Sequence, residues 1–549
     1  MRSWPPAILL LVAARLAVAQ ATADVQFCAG SAGTGDERIA ACTRAIASGT
    51  LENRPLSGAF YNRGYAWNAK GDYDRAIADF DEAIRLNPQF AGAFYNRGSA
   101  AYARGDYDRA VADNGEAIRL NPKYAKAYNN RGNAWNAKGD YDRAIADFNE
   151  AIRLNPQDAL AFNNRGISWK AKGDYGRAIA DYNEAIRLDP QYAEAFYNRG
   201  YAWKAEGDYD RAIADYNAVI RLNPQDAQAF NNRGNAWYYK GDHERASADY
   251  NEAIRLNPRF AQAYNNRGYA RNAQGDHDRA IADYSEAIRL NPQDAYAFNN
   301  RGIVWRAKDD HERAIADFDE ALRLDPQFAP ALNNRANAWR AKGDYDRALA
   351  DYDEVIRLEP HNARAFDNRG VAWNAKGDYE RALADYSEAI RLDPHNAYAL
   401  RNRGFAQFYL GRFDAAAADF AESGRLDPKS AYTPIWRGLT LLRSGKAELA
   451  RSDLQQALQT FTKGEWPEPV LALLAERIDP PALLNAADHR DAIKRRGQVC
   501  DAHFFLGEYY LLRNRPDEAR KSWQSAEQDC PRDFAGYHGA VVELKGLPR

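Results

Sequence analysis

The pair Arg-Gly recurs through this chain at one fixed interval. Arg63-Gly64, Arg97-Gly98, Arg131-Gly132 and Arg165-Gly166 stand 34 residues apart, and the series runs on to Arg437-Gly438, with Ala336 its one departure from glycine. Twelve such units fill residues 57–464 without an insertion or deletion. A period of this length marks a stacked array, because one short unit cannot cover its own apolar face and needs its neighbours to do so. The length of 549 residues would otherwise suggest three or four domains, at about 100–200 residues each. The 12 Trp and 33 Tyr, against a single Met, have the same origin in one copied pattern.

The unit 125–158 reads AKAYNNRGNAWNAKGDYDRAIADFNEAIRLNPQD. With its residues numbered 1–34, apolar or aromatic side chains at positions 4, 11 and 13 predict a first helix, helix A. Those at 20, 21, 24, 27, 28 and 30 have the i, i+3, i+4, i+7 spacing of a second, helix B. Gly139 at position 15 suits a left-handed C-cap, Asp140 can N-cap helix B, and Pro156 stops it. Each unit is therefore predicted to be a helical hairpin.

Tyr128, Gly132, Trp135, Ala144, Phe148, Ala151 and Pro156 fall where the tetratricopeptide repeat (TPR) family has its pattern residues, and the unit resembles that family closely. The one departure is Arg131 at position 7, where the family has Leu. The resemblance implies an all-α fold, a right-handed superhelical TPR solenoid of antiparallel helix hairpins, with helix A lining a concave face.

An arginine at a position that should be buried needs a partner. Position 23 is Asp in all twelve units, and in a degenerate unit at 500–533 Leu506 and Ser522 replace the Arg and the Asp together. Ion pairs between helices A and B are expected, as at Arg165/Asp181 and Arg199/Asp215, because an unpaired buried charge costs about 3–5 kcal/mol. The Trp at position 11 (Trp67, Trp135, Trp169, Trp203, Trp237, Trp305, Trp339 and Trp373) read as core rather than as a ligand-stacking stripe. His243, His277 and His311 repeat at position 17, in the turn, too far apart to share a metal. In repeat 2, Ala101 replaces Trp, and Asn114-Gly115 is expected to interrupt helix B.

Position 6 lies on helix A and, by the family resemblance, faces the groove. It is Asn at 62, 96, 130, 164, 198, 232, 266, 300, 334, 368 and 402 (Asn62, Asn96, Asn130, Asn164, Asn198, Asn232, Asn266, Asn300, Asn334, Asn368 and Asn402). An amide both donates and accepts, so such a row can bind the backbone of an extended chain. The protein O-linked N-acetylglucosamine transferase family, which this row resembles, uses an Asn ladder in that way. Tyr61, Tyr95 and Tyr197 lie beside it, and the groove reads as polar, aromatic and nearly uncharged. The competing reading is that these amides bond neighbouring repeats. Against simple copying, position 2 has drifted through Gly58, Lys126, Leu160, Glu194, Tyr296 and Arg364 while position 6 stayed Asn.

The ends differ from the array. Arg2, the apolar run Ala7–Ala14 and the small-x-small sites before Gln20 and Asp24 read as a secretory signal over residues 1–23. Residues 24–56 form a candidate N-terminal cap whose helix, at 36–48, carries Cys42. Pairing of Cys28 with Cys42 and of Cys500 with Cys530 is the simplest of three connectivities, and an oxidising compartment would preserve it. A helical connector over 465–499, the thirteenth hairpin over 500–533 and a capping helix over 534–549 complete the expected order. Trp466-Pro467, Leu471, the run from Cys500 through His503 to Leu511, and Tyr537 with Glu543-Leu544 are similar to the C-terminal region of new lipoprotein I. That resemblance implies a periplasmic TPR adaptor for envelope proteases and peptidoglycan hydrolases, here without a lipidation site.

No Gly-x-Ser-x-Gly, phosphate loop or His-Glu-x-x-His is present, so the chain reads as a scaffold and not an enzyme, with no cofactor and no metal. With 74 Lys+Arg against 76 Asp+Glu, bulk basicity cannot drive nucleic-acid binding. No stretch after the signal is apolar enough to cross a membrane. The expected function is a periplasmic adaptor that binds extended polypeptide along the groove and assembles cell-envelope proteins. The alternative is a glycan-binding or polysaccharide-assembly scaffold.

Overall fold

The computed structural model describes residues 22–30, 33–530 and 535–546. The signal segment therefore lies, except for its last two residues, outside the described residues. Among those described, every regular element is a helix. The chain forms two compact units, one up to Gln274 and one from Gly275 onward. The first holds a helix at Gly35–Ala47, then hairpins such as Asn53–Ala69/Tyr73–Leu86 and Ala159–Ala171/Tyr175–Leu188, and ends with Ala261–Ala273. The second runs from His277–Leu290 through like hairpins to Thr433–Arg443/Ala447–Leu458. It then adds Glu468–Leu474, Pro480–Ala487, Ala492–Leu511, Pro516–Asp529 and Ala535–Gly546.

The turn between paired helices follows from two side chains. Gly139 has φ +79°, a left-handed conformation open to glycine, and the Asp140 carboxylate accepts from the Arg143 amide at 3.1 Å. Asp309 holds the same turn in one unit at φ +65°. The glycine at position 8 has a different cause. A Cβ on Gly166 would lie 2.6 Å from the ring of Tyr182, so helices A and B close against each other there. Tyr182 itself is fully buried.

The charged pair joins the same two helices. Arg165 Nε donates to Asp181 Oδ2 at 2.8 Å and Nη2 to Oδ1 at 2.6 Å. Arg199 and Asp215 repeat this at 2.9 and 2.6 Å, as does every pair from Arg63/Asp79 to Arg403/Asp419 whose bonds are described. A third bond extends this pairing to the neighbouring unit. Nη1 of Arg165 donates to Asn149 Oδ1 at 2.7 Å, on helix B of the preceding unit; Arg199 reaches Asn183 at 2.6 Å and Arg369 reaches Asp353 at 2.7 Å. The flat guanidinium also sits over the position-4 ring, 5.5 Å from the centroid for Arg165 and Phe162. Five N–H groups in one planar fork make this three-way bonding possible, and Lys could not reproduce it.

Burial pushes the Asp181 and Asp215 carboxyls above the ordinary carboxylate value, against the lowering effect of their arginines. Desolvation therefore offsets much of the attraction. The pair matters because neither charge is left alone, more than through any net gain.

Two expectations are corrected. Helix B of repeat 2 runs unbroken over Tyr107–Leu120. Asn114 is fully buried and its Nδ2 donates to the Ala110 carbonyl at 2.8 Å, so packing overrides the weak local propensity. The cost appears next door: position 25 is Gly115, which offers Arg131 no side-chain acceptor where Asn149 serves Arg165. The second correction concerns 465–499. The first helix of the thirteenth hairpin starts at Ala492, inside the expected connector, because Asp491 caps it by accepting from the Ile493 and Lys494 amides at 2.9 and 3.1 Å.

The position-11 Trp side chains are only half-buried. Arg75 lies over Trp67 at 4.5 Å and Arg211 over Trp203 at 3.7 Å, so the helix-B arginine at position 19 covers the outer ring face. At the ends, the sulfurs of Cys28 and Cys42 lie 2.10 Å apart and those of Cys500 and Cys530 2.13 Å apart, within bonding distance. Arg443 bonds both Glu508 and Glu543, at 2.7 and 3.3 Å, tying the last helix to the array. Burial, with the Glu543 charge, pushes the Glu508 carboxyl up to about 8.

Asp181→Ala is expected to destabilise the protein by about 3–5 kcal/mol, and Asp181→Ala/Arg165→Leu to recover most of that loss. Urea unfolding of both variants checks this; a double variant no better than the single one contradicts the pairing.

Candidate functional site: the open face of the helix-A layer

Along helix A, positions 3, 8 and 10 turn toward helix B, as fully buried Ala161 and Ser168 and the close approach at Gly166 show. Helical spacing puts positions 2, 5, 9 and 12 on the other side. Exposed side chains there are Tyr296 and Tyr398 at position 2 and Tyr65, Tyr201 and Tyr269 at position 9, whereas position 5 is buried in several units, as at Asn163 and Asn231.

The Asn row at position 6 borders this face and bonds between repeats. Asn164 Nδ2 donates to Asn129 Oδ1 at 3.1 Å, Asn198 to Asn163 at 3.1 Å and Asn266 to Asn231 at 3.0 Å. Asn334 meets Asn299 at 3.0 Å, Asn368 meets Asn333 at 2.9 Å and Asn402 meets Asp367 at 3.2 Å. Asn96 donates to the Tyr61 hydroxyl at 2.7 Å, Asn130 to Ser99 at 2.8 Å, and Asn232 to the Tyr197 hydroxyl. The partner is almost always position 5 of the preceding unit. Asn62 and Asn300 are half-buried in the same row, and the Tyr95 ring packs 4.9 Å from Tyr124. One N–H of each bonded amide thus belongs to the stacking of repeats. A second N–H and the carbonyl are what an amide has beyond it.

The expectation of a nearly uncharged face is also corrected. Position 12 is cationic in several units, with Lys170, Lys204, Arg306 and Arg340. Lys170 and Lys204 flank the Tyr201 ring with Nζ at 5.1 and 5.2 Å from its centroid, and Lys170 donates to Asn198 Oδ1 at 3.3 Å. Burial pushes both lysines below their usual value. The sequence carries this signal as a column of cations at 34-residue spacing. In repeats 6 and 7 the face is aromatic, with Tyr238 packed 5.1 Å from Tyr269; beside it Tyr239, at position 13, stacks at 6.0 Å on Tyr209, the first residue of helix B in repeat 5.

The three histidines open helices at His243, His277 and His311. Among the described residues no cluster of His, Cys, Asp or Glu could hold a metal ion.

Family models described as tetratricopeptide repeat match residues 95–159, 204–258, 231–295 and 273–329, and also 58–90 and 329–362. A third, described as TPR repeat, matches 170–205 and 374–411. Among solved structures, a tetratricopeptide repeat protein from Parabacteroides merdae is 21% identical over 46% of this chain and 99% of that chain, with a TM-score of 0.38. YrrB, described as a TPR protein with an unusual peptide-binding site, is 25% identical over 34% of this chain and 95% of its own, with a TM-score of 0.29. Yeast Tom70 is 17% identical over 78% of this chain and 100% of that chain, with a TM-score of 0.38. No curated protein gives a significant match.

Asn198→Ala removes a donor from fully buried Asn163 and is expected to cost about 1–3 kcal/mol, whereas Tyr65→Ser on the exposed face should stay within about 0.5 kcal/mol. Denaturant midpoints of the two variants check this; equal costs would contradict the inter-repeat role of the amide row.

Proposed function

We propose that this chain, which belongs to the tetratricopeptide repeat family, is an exported scaffold that holds extended polypeptide on the open face of its helix-A layer and brings cell-envelope proteins together. A TPR array is suited to binding peptides. The observation that carries the finer reading is the register of that face. Tyrosines stand exposed at position 9 in several units, beside amides fixed by bonds to the preceding repeat. A face ordered before binding loses little side-chain freedom when a chain lies along it. Tyrosine adds large contact area with a polar end.

The periplasm is proposed as its location. The support is the signal pattern at residues 1–23, the two cysteine pairs within bonding distance, and the resemblance of residues 465–549 to new lipoprotein I. Disulfides persist in such a compartment. TPR scaffolds typically carry no catalysis, and none is assigned to this chain.

One observation favours a second reading. The ring cluster of Tyr209, Tyr238, Tyr239 and Tyr269 is a platform on which a sugar ring could stack, so a glycan ligand is the alternative.

The test uses tagged full-length protein on envelope extract. Replacing the Asn row would loosen the array itself, so the informative variant is Tyr201→Ser/Tyr269→Ser, on exposed positions. Recovery of protein partners is expected to fall at least about tenfold, the effect of losing roughly 1.4 kcal/mol of contact. An unchanged protein profile, or capture of glycan alone, overturns the polypeptide reading.

A further inference from the structure

Most arginines on helix A have a carboxylate. Those at position 7 hold their Asp in a two-bond fork, from Arg63 to Arg403. In repeats 8 to 10 the open face breaks this habit. Arg306 and Arg340 at position 12 and Arg364 at position 2 form no ion pair among the described residues. They lie close to one another: after burial, the charges of Arg340 and Arg364 are what push the Arg306 guanidinium below its ordinary value. The carboxylate in their midst, Asp367, accepts from Asn402 at 3.2 Å, and burial holds its pKa above the usual range despite Arg401, Arg340 and Arg364 around it. Positive charge is therefore concentrated here without a matching set of carboxylates.

The same face opens into a cavity of about 760 Å³ within the second unit. Its polar wall holds Arg340 and Asn374; Nε of the first and Oδ1 of the second are buried and have no hydrogen-bond partner. Its other wall is aromatic, formed by Phe405, Tyr409 and Trp436. A buried N–H and a buried carbonyl left unbonded cost free energy that a ligand group would recover. A carboxylate can accept from the Arg340 N–H, a backbone N–H of the same segment can donate to the Asn374 carbonyl, and an aromatic side chain can pack against the other wall.

We propose that this arginine-rich stretch binds an acidic polypeptide segment, with carboxylates on Arg306, Arg340 and Arg364 and an adjacent aromatic side chain in the cavity. The inference rests on the polypeptide reading above and adds the chemistry of the segment. Guanidinium and carboxylate match as planar forks. On the half-buried face such a pair is screened by salt and water less than at an open surface, while its desolvation offsets part of that gain.

The probe is a fluorescein-labelled peptide with the core Glu-Glu-Phe-Glu, compared by polarisation with the same peptide carrying Gln for each Glu. Full-length protein is expected to bind the acidic peptide about tenfold more tightly, about 1.4 kcal/mol, the effect of one charge-assisted bond. Arg340→Gln/Arg364→Gln should lose that preference and keep its affinity for the Gln peptide, with an unchanged melting curve. Salt titration of the wild type is a second readout that needs no variant: the preference should shrink as salt rises. Equal binding of the two peptides by the wild type, a preference that survives both substitutions, or one insensitive to salt overturns the acidic recognition and leaves the broader polypeptide reading standing. Binding of neither peptide overturns both.

Discussion

The arrangement depends on one side chain used the same way in unit after unit. The position-7 guanidinium fastens helix A to helix B through a two-bond fork to Asp and, where position 25 offers an oxygen, reaches back to the preceding hairpin. In most TPR units an apolar residue fills this place. Here a polar clamp does so, and it has a direction: each unit holds the one before it. Its desolvation is costly, as the raised Asp181 and Asp215 carboxyls show. The gain lies in fixing register, because a hairpin displaced from its neighbour would leave buried charges unpaired.

A second inter-repeat bond follows the same direction. Both bonds start from helix A: Asn198 donates to Asn163 on the preceding helix A, and its neighbour Arg199 donates to Asn183 on the preceding helix B, so one helix is held to both helices of the hairpin before it. With register set from within, positions 2, 9 and 12 are free to vary. They vary in chemistry: exposed tyrosines in several units, Lys170 and Lys204 around Tyr201, and the arginines of repeats 8 to 10. One scaffold thus presents different local surfaces along its length.

Much of this was legible in the residues themselves. The 34-residue period, the hairpin turns at Gly139 and Asp140, and the Arg165–Asp181 partnership are local or strictly periodic, and periodicity reports them directly. What escaped notice depends on which neighbour a side chain reaches. Nothing in position 25 alone, which is Asn149, Asp319 or Ser285 in different units, marks it as the acceptor for the next guanidinium. The Asn row had two readings because an amide can face a ligand or a neighbour, and only three-dimensional stacking puts Asn163 beside Asn198. The Asn114-Gly115 step misled for the opposite reason: local propensity is weak beside the packing of a whole helix. The cationic column at position 12 is legible as a periodic series, Lys170 and Lys204 and then Arg306 and Arg340, beside the uncharged row at position 6.

The central claim is that the guanidinium bond to the preceding hairpin sets the cohesion of the array. Hydrogen exchange under native conditions tests it along the whole first unit in one experiment. Opening should be easiest at the junction of repeats 2 and 3, where Gly115 gives Arg131 no acceptor and Asn114 keeps an unpaired buried oxygen. Protection in helices Tyr107–Leu120 and Ala125–Ala137 is therefore expected to fall below that of Tyr175–Leu188 and Ala193–Ala205, where Arg199 reaches Asn183. Equal protection at the two junctions, or greater protection at the one lacking the bond, would contradict the account.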